Sequence, residues 1–384
     1  MNAAETASVT RHVTPLARIR QVPHWWEPLY EASCDRSIFL SAAWLRSWLE
    51  GYGDEFEGFW VRWETNGVVV GGCLIAARRY RLPFAHLRTL YLNATGRTKE
   101  RSPLAEFNGV LHMPGFEAAI AADFSRFLKE LPWSRLLISG HEDRGLLSHL
   151  IPLLPAILVE RELMPAPFVE LAAMSHESYE AMLGSNTRGQ IRRSHRLYEE
   201  RFGRITLNVA LSLDQALQYL DALGRLSNSR WQSKGEIGSF ASQSSVEFHR
   251  RLIAYLWPRK AVDLVCVRAG ETIVGYLYNF IDRGKVFFYQ SGLVYEMDGK
   301  LKPGLLTHFL AIEHYRQRGC REYDFLGGEA RYKRSLAKQH RNLYWTTIYR
   351  DQPSMPLMLW VRNVRHATRP DSLANPGAGK SIKI

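Results

Sequence analysis

The chain has 384 residues, too long for one typical core, and its 46% hydrophobic and 12% aromatic content marks it as globular rather than disordered. Lys and Arg number 50 against 38 Asp and Glu, and the net charge of +12 suits an anionic partner such as a nucleotide cofactor, tRNA or another nucleic acid. Cys34, Cys73, Cys266 and Cys320 are scattered with no C-x-x-C pair, which argues against a disulfide framework and against a zinc site and leaves buried free thiols as the expectation. The first twenty residues have no apolar core between their charges, and no run approaches the ~20 apolar residues of a membrane span. A reducing cytoplasm is the expected address.

Residues 1–20 read as a loose leader. From Ser37, SIFLSAAWLRSWLEGYG predicts an aromatic-rich helix capped near Ser41 and closed at Gly51 or Gly53. FEGFWVRW and VVVGGCLIAARRY follow, joined by Thr65-Asn66-Gly67, and an Asn-Gly between two apolar runs predicts a hairpin. LRTLYL is a further strand, TGRTKERSP a polar basic loop, GFEAAIAADFSRFLKEL a helix and SRLLISG a strand. The proline-rich passage IPLLPAILVERELMPAPFVEL then reads as a separator, with a boundary near Met164.

Beyond it, SHESYEAMLGSNTRGQIRRSHRLYEERFG predicts two helices, the second capped at Ser185 or Asn186. A strand, ITLNVAL, a helix from Leu213 and the helix SSVEFHRRLIAYLW lead to three strands over residues 261–294, linked by tight Ala-Gly and Arg-Gly turns. Pro303-Gly304 opens a helix bearing Leu305, Leu306, Phe309, Leu310 and Ile312, which Gly319 stops. His308 and His314 share no face and read as ordinary helix residues. REYDFLGG is a short strand running into a glycine turn that ends at Tyr332-Lys333. A strand, a crossover helix and a neighbouring strand predict a parallel pair, with the helix N-terminus at the strands' carboxyl end, where it suits an anion. NLYWTTIYR adds a last strand, and the tail from Arg369 reads as unstructured.

Phosphate-loop, H-E-x-x-H and G-x-S-x-G patterns are absent in usable form, so metal chemistry has no support in the sequence. Asp298-Gly299-Lys300-Leu301-Lys302-Pro303-Gly304-Leu305 forms a basic turn into a helix, where dipole, free amides and Lys300 and Lys302 act together on a diphosphate. Asp324 and Glu329 are the carboxylates nearest that centre, each a candidate base or a hold for an acceptor amine. Arg188, Arg192 and Arg196 share a helix face, with Arg193 one step round. An anionic acceptor or the neighbouring Glu199 and Glu200 would relieve their repulsion.

The order of three antiparallel strands, helix, strand and further helix resembles the GNAT acyltransferase superfamily. Asp324-Phe325-Leu326-Gly327-Gly328-Glu329 with Tyr332-Lys333, and Asn186-Thr187-Arg188 with Ile191-Arg192-Arg193, look like the CelD-like branch, related to the Fem-type aminoacyl-tRNA transferases. The resemblance covers roughly residues 35–350 and is stronger over 170–340. It implies a mixed α/β fold of two tandem GNAT-like domains. The expected parts are a leader (1–34), a degenerate N-terminal domain (35–164), an acyltransferase domain (165–350) and a C-terminal helix and tail (351–384). It implies an acyl-CoA co-substrate, no metal, a diphosphate held by Lys300, Lys302, Gly304 and Leu305, and thioester contacts from Gln290, Ser291 and Gly292. The turn departs from the superfamily signature by carrying one glycine where two are usual. Lys333 is implied as the electrostatic stabiliser of acyl transfer with Tyr332 as its partner, and Arg188, Arg192 and Arg196 as acceptor contacts. The implied acceptor is an amine on a sugar, an amino acid or a cell-envelope or polysaccharide precursor. An aminoacyl-tRNA donor and a non-catalytic GNAT-like binding protein are the alternatives.

Overall fold

The computed structural model describes residues 8–17, 21–52, 57–82, 85–94, 103, 105–174, 178–353, 355 and 381–383. The chain divides into two compact units: residues 1–97, 104–164 and 342–384 in the first, 98–103 and 165–341 in the second. The segment TGRTKERSP lies almost wholly outside the described residues, as does the tail from Arg369 up to residue 380.

The chain begins in the first unit with β1 (Thr10–Pro15), α1 (Trp26–Ala32), α2 (Ala42–Tyr52), β2 (Glu57–Thr65), β3 (Val68–Leu82) and β4 (Ala85–Leu92). It continues through β5 (Leu111–His112), α3 (Glu117–Glu130), β6 (Arg135–His141) and α4 (Gly145–Leu150) to β7 (Ala156–Glu170), which runs on into the second unit. The residues expected to form a loose leader instead supply β1, which pairs antiparallel with β2 from Thr10↔Glu64 to Pro15↔Phe59. An edge strand with one open face needs no apolar run, so composition concealed it. Ser41 Oγ accepts the Trp44 N–H at 3.2 Å, and α2 runs on through Gly51 to Tyr52. The hairpin between β2 and β3 turns at Asn66 and Gly67, both at positive φ, as a two-residue turn between right-twisted strands requires. Cys73 is buried in β3, whereas Cys34, in the loop after α1, is exposed rather than buried. The core gathers Trp63, Ile75, Leu90, Ile120, Phe124 and Leu136 between the sheet and α3.

The proline-rich passage is largely one strand, β7, and the two units divide within it, between Met164 and Pro165. Prolines lose a donor but keep an acceptor, and Pro165 and Pro167 use theirs: their carbonyls accept the N–H groups of Gly328 at 3.0 Å and Phe325 at 2.9 Å.

The second unit follows with α5 (Tyr179–Met182), α6 (Ser185–Phe202), β8 (Ile205–Val209), α7 (Leu213–Gln232), α8 (Gln243–Leu256), β9 (Val262–Ala269), β10 (Thr272–Asp282) and β11 (Lys285–Leu293). Then come α9 (Pro303–Gln317), β12 (Glu322–Asp324) and α10 (Arg331–Leu336). The strand order is β8-β9-β10-β11-β12, with the end of β7 beyond β12. All pairs are antiparallel except β11 with β12. Ser212 and Ser242 cap α7 and α8 by accepting N–H groups three residues on, whereas α6 starts at Ser185 itself, with Gly184 at its cap position. In α9 the buried positions are Pro303, Leu306, Thr307, His308, Ala311, Ile312 and Tyr315. Leu305, Phe309 and Leu310 pack at the margin.

Two irregularities open this sheet. Tyr278 faces Gln290 while Asn279 faces Phe288, so Tyr289 is an extra residue and β11 bulges there. The parallel pairing of β11 with β12 covers only Lys285–Phe287 against Glu322–Asp324. Beyond Phe287, β11 has β10 as its one strand neighbour among the described residues.

The chain then leaves the second unit through β13 (Gln339–Arg350), and β14 (Ser381–Lys383) follows near the C-terminus. Residues from 342 group with the first unit, because β13 pairs antiparallel with β6, for example Ile348↔Leu136. The sequence had left them with the second. Ile382 of β14 pairs with Arg161 of β7.

Candidate functional site

The turn after β12 is built by its own side chains. Asp324, fully buried, accepts the Leu326 N–H on Oδ1 at 2.7 Å. That bond holds Leu326 at φ +58, a left-handed conformation uncommon for a residue with a Cβ. Arg341 donates to Glu322 Oε2 at 2.7 Å, lies 3.4 Å from Asp324 Oδ2, and stacks over the Phe168 ring at 4.1 Å. The buried carboxylate is therefore held within a charged and hydrogen-bonded frame.

Lys333 closes this turn from the far side. It sits in α10, is 8% exposed, and its Nζ donates to the carbonyls of Gly327 at 2.8 Å and Leu326 at 3.2 Å. Neighbouring Tyr332 stacks on His308 of α9, with ring centroids 5.3 Å apart and planes at 18°. Burial pushes the Tyr332 hydroxyl well up, so it stays a neutral phenol.

His308 is the residue that sequence inspection passed over. Its Nδ1 lies 3.0 Å from the Tyr323 hydroxyl, and its ring meets Phe288 edge-on at 4.4 Å and Phe325 at 5.2 Å. Burial, and then the Lys333 charge, lower its pKa to about 3, so it is a neutral imidazole. Through His308, strand β11, helix α9, strand β12 and helix α10 meet at one place. The only sequence signal for it was its position one turn after Gly304.

The start of α9 is braced. Asp298 Oδ1 accepts the Lys300 N–H at 2.9 Å, Asp298 Oδ2 pairs with Arg201 at 2.6 Å, and the Lys302 N–H donates to Ser194 Oγ of α6 at 2.9 Å. The Lys300 amide, then Arg201, hold the Asp298 carboxyl below its usual range. The first helical bond runs from Leu306 N–H to the Lys302 carbonyl, so the N–H groups of Gly304 and Leu305 precede it and point out of the helix start. Lys300 is exposed and Lys302 half-buried.

Gln290, Ser291 and Gly292 lie on β11 beyond its pairing with β12. Gln290 donates to Ser239 Oγ at 3.3 Å. Gly292 is where α7 comes closest, since a Cβ there would lie 2.6 Å from the Leu223 carbonyl oxygen. The other expected residues stand differently. Glu329 is exposed on the turn. Arg192 and Arg196 are exposed and ion-paired, with Glu180 and with Glu200 at 3.5 Å. Arg188 is half-buried in the first turns of α6.

In the second unit the parallel pairing of β11 with β12 ends at Phe287 and Asp324, α9 starts at Pro303, and Lys333 is buried in α10. Residues 185–334 match the acetyltransferase (GNAT) domain family, a segment that runs from the first residue of α6 to the residue after Lys333. The second unit thus carries a GNAT acetyltransferase domain, an acyltransferase by class. In fold it is similar to FemX, with a TM-score of 0.55 and 10% identity over 87% of this chain and 97% of that one. It is also similar to L-PGS from Bacillus licheniformis, with a TM-score of 0.50 and 12% identity over 91% of this chain and 98% of that one. Comparison with curated proteins finds no match.

Proposed function

We propose that the second unit transfers an acyl group from an acyl-CoA thioester to an amine. The observation that carries this is the buried Lys333, fixed by two turn carbonyls within the segment matched to the acetyltransferase family. The N–H groups of Gly304 and Leu305, with Lys300 and Lys302 nearby, would hold the diphosphate at the positive end of α9. The unpaired edge of β11 at Gln290, Ser291 and Gly292 would receive the thioester arm and offer an N–H to the oxyanion.

In this scheme the neutral amine attacks the thioester carbonyl, the C–S bond breaks, and CoA leaves as thiolate. Lys333 steadies the negative charge that develops on the way. The amine's proton passes to the exposed Glu329 carboxylate or through water to solvent, and the thiolate is protonated in turn. Asp324 and His308 serve differently. Asp324 is committed to Arg341 and the Leu326 amide, so it shapes the turn. An imidazole with a pKa near 3 is a weak base at neutral pH, so His308 positions Tyr332 by stacking. Arg188, half-buried in the first turns of α6, would contact an anionic acceptor, such as a sugar, amino acid or cell-envelope or polysaccharide precursor.

The alternative donor is aminoacyl-tRNA, which the sequence resemblance to the Fem-type transferases implies. Calorimetric titration with acetyl-CoA, longer acyl-CoAs and bare tRNA separates the two. The expected result is saturable binding of a CoA species. Binding of tRNA with no response to any CoA would overturn the acyl-CoA donor.

A further inference from the structure

Four side chains of the first unit converge at a place that acyl transfer does not use. Cys34 and Asp35 lie in the loop after α1, His112 ends β5 and Glu117 opens α3. The Cys34 sulfur, an Asp35 oxygen and a His112 ring nitrogen all lie within 4.8 Å of one another. His112 is 1% exposed, and its Nδ1 is 2.9 Å from the Val110 carbonyl oxygen. A carbonyl only accepts, so Nδ1 carries the proton and Nε2 presents a lone pair.

That Nε2 is buried with no hydrogen-bond partner. It faces Glu117 Oε1 at 3.4 Å and Asp35 Oδ2 at 3.7 Å. Both distances exceed the ~2.7–3.2 Å of an N–H···O bond. Donors held ~2.0–2.3 Å from a tetrahedral zinc stand roughly 3.3–3.8 Å from one another. The two observed separations fall in that window.

We propose that Cys34, Asp35 and His112 bind a divalent transition-metal ion of the zinc class, with the Glu117 carboxylate beside the His112 nitrogen. One thiolate, one imidazole and one carboxylate form a borderline-soft set that suits zinc better than magnesium or calcium. The Val110 carbonyl fixes the ring and its tautomer, as an outer partner of a ligating histidine does. Arg144 lies 3.2 Å from Asp35 Oδ1 and 2.6 Å from Glu142 Oε2, and balances the excess negative charge from outside. Gly145 makes the space: a Cβ there would lie 2.1 Å from Asp35 Oδ2, on a backbone at φ +59. On binding, a sulfur–metal bond forms as the Cys34 thiol gives its proton to solvent, and the imidazole loses none. The ion ties the loop after α1 to β5, a structural clip within the first unit.

The test is titration of the chelator-stripped full-length protein with Co²⁺, then Zn²⁺. One equivalent of Co²⁺ should produce a thiolate-to-cobalt charge-transfer band with d–d bands of tetrahedral intensity, and Zn²⁺ should abolish both. Cys34→Ser, at an exposed position, should keep the native circular dichroism spectrum and lose the charge-transfer band. Glu117→Gln should keep that band and bind Zn²⁺ more weakly by roughly tenfold or more. No band in the native chain, or a band that survives Cys34→Ser, would overturn the proposal. So would the same thermal midpoint with and without Zn²⁺.

Discussion

Nζ of Lys333 donates to the Gly327 carbonyl at 2.8 Å, and one residue on, a Cβ at Gly328 would lie 3.3 Å from the same nitrogen. The turn and the lysine are therefore fitted to each other. An ammonium in a pocket of carbonyls cannot swing away, which a group meant to meet developing charge requires.

Replacing Lys333 by Ala should lower turnover by about 10²–10³-fold, the usual cost of removing one stabilising donor. The affinity for acetyl-CoA, which rests on the start of α9, should change little. Transfer of a labelled acetyl group alongside a binding isotherm checks both halves. Native turnover in the variant would remove Lys333 from the transfer step.

Gly328→Ala strains the backbone twice, because φ is +130 and the new methyl presses on the ammonium. A loss of about 1–3 kcal/mol is expected. Urea denaturation measures it, and a variant as stable as the parent would show that the turn can relax around the methyl.

Arg341→Met should cost about 3–5 kcal/mol, since it takes the cation from the buried Asp324 while leaving the charge. Adding Asp324→Asn to it should recover part of the loss. A denaturant double-mutant cycle tests this, and strict additivity would mean the two residues do not interact.

Acid stability should be set largely by two histidines. Burial lowers His249 to about 3, and burial with the Lys333 charge lowers His308 to about 3. Both are neutral when folded but take up protons when unfolded below about pH 6.5. Stability is thus fully present above that pH and falls toward pH 3, by about 1.4 kcal/mol per pH unit for each residue. His249 packs among the rings of Phe240, Phe248, Tyr278 and Tyr289. His249→Phe should therefore remove one proton's share of the slope. An unchanged slope in pH-dependent unfolding would contradict the neutral assignment.

What the sequence disclosed follows from where the physics is local. The Asn66-Gly67 hairpin and the proline start and glycine stop of α9 were legible because each depends on a few adjacent residues. β7 was hidden because prolines in a strand look like a break until their carbonyls are seen accepting N–H groups from the Phe325–Gly328 turn. His308 was hidden because one histidine on an apolar helix has no periodicity of its own. Its stacking on Tyr332 depends on packing between α9 and α10. Likewise Arg341 and Asp324, or His112 and Cys34, meet only through the fold, and no spacing along the chain announces them.

The return of β13 to the first unit has a consequence for synthesis. β6 leaves the ribosome long before its antiparallel partner, because the whole of residues 165–341 must be made between them. The acyltransferase half can therefore condense first, and the half that begins the chain is the last to be completed. Until residues 342–350 emerge, one edge of β6 is an open template. Such an unpaired edge is a site where another strand can pair.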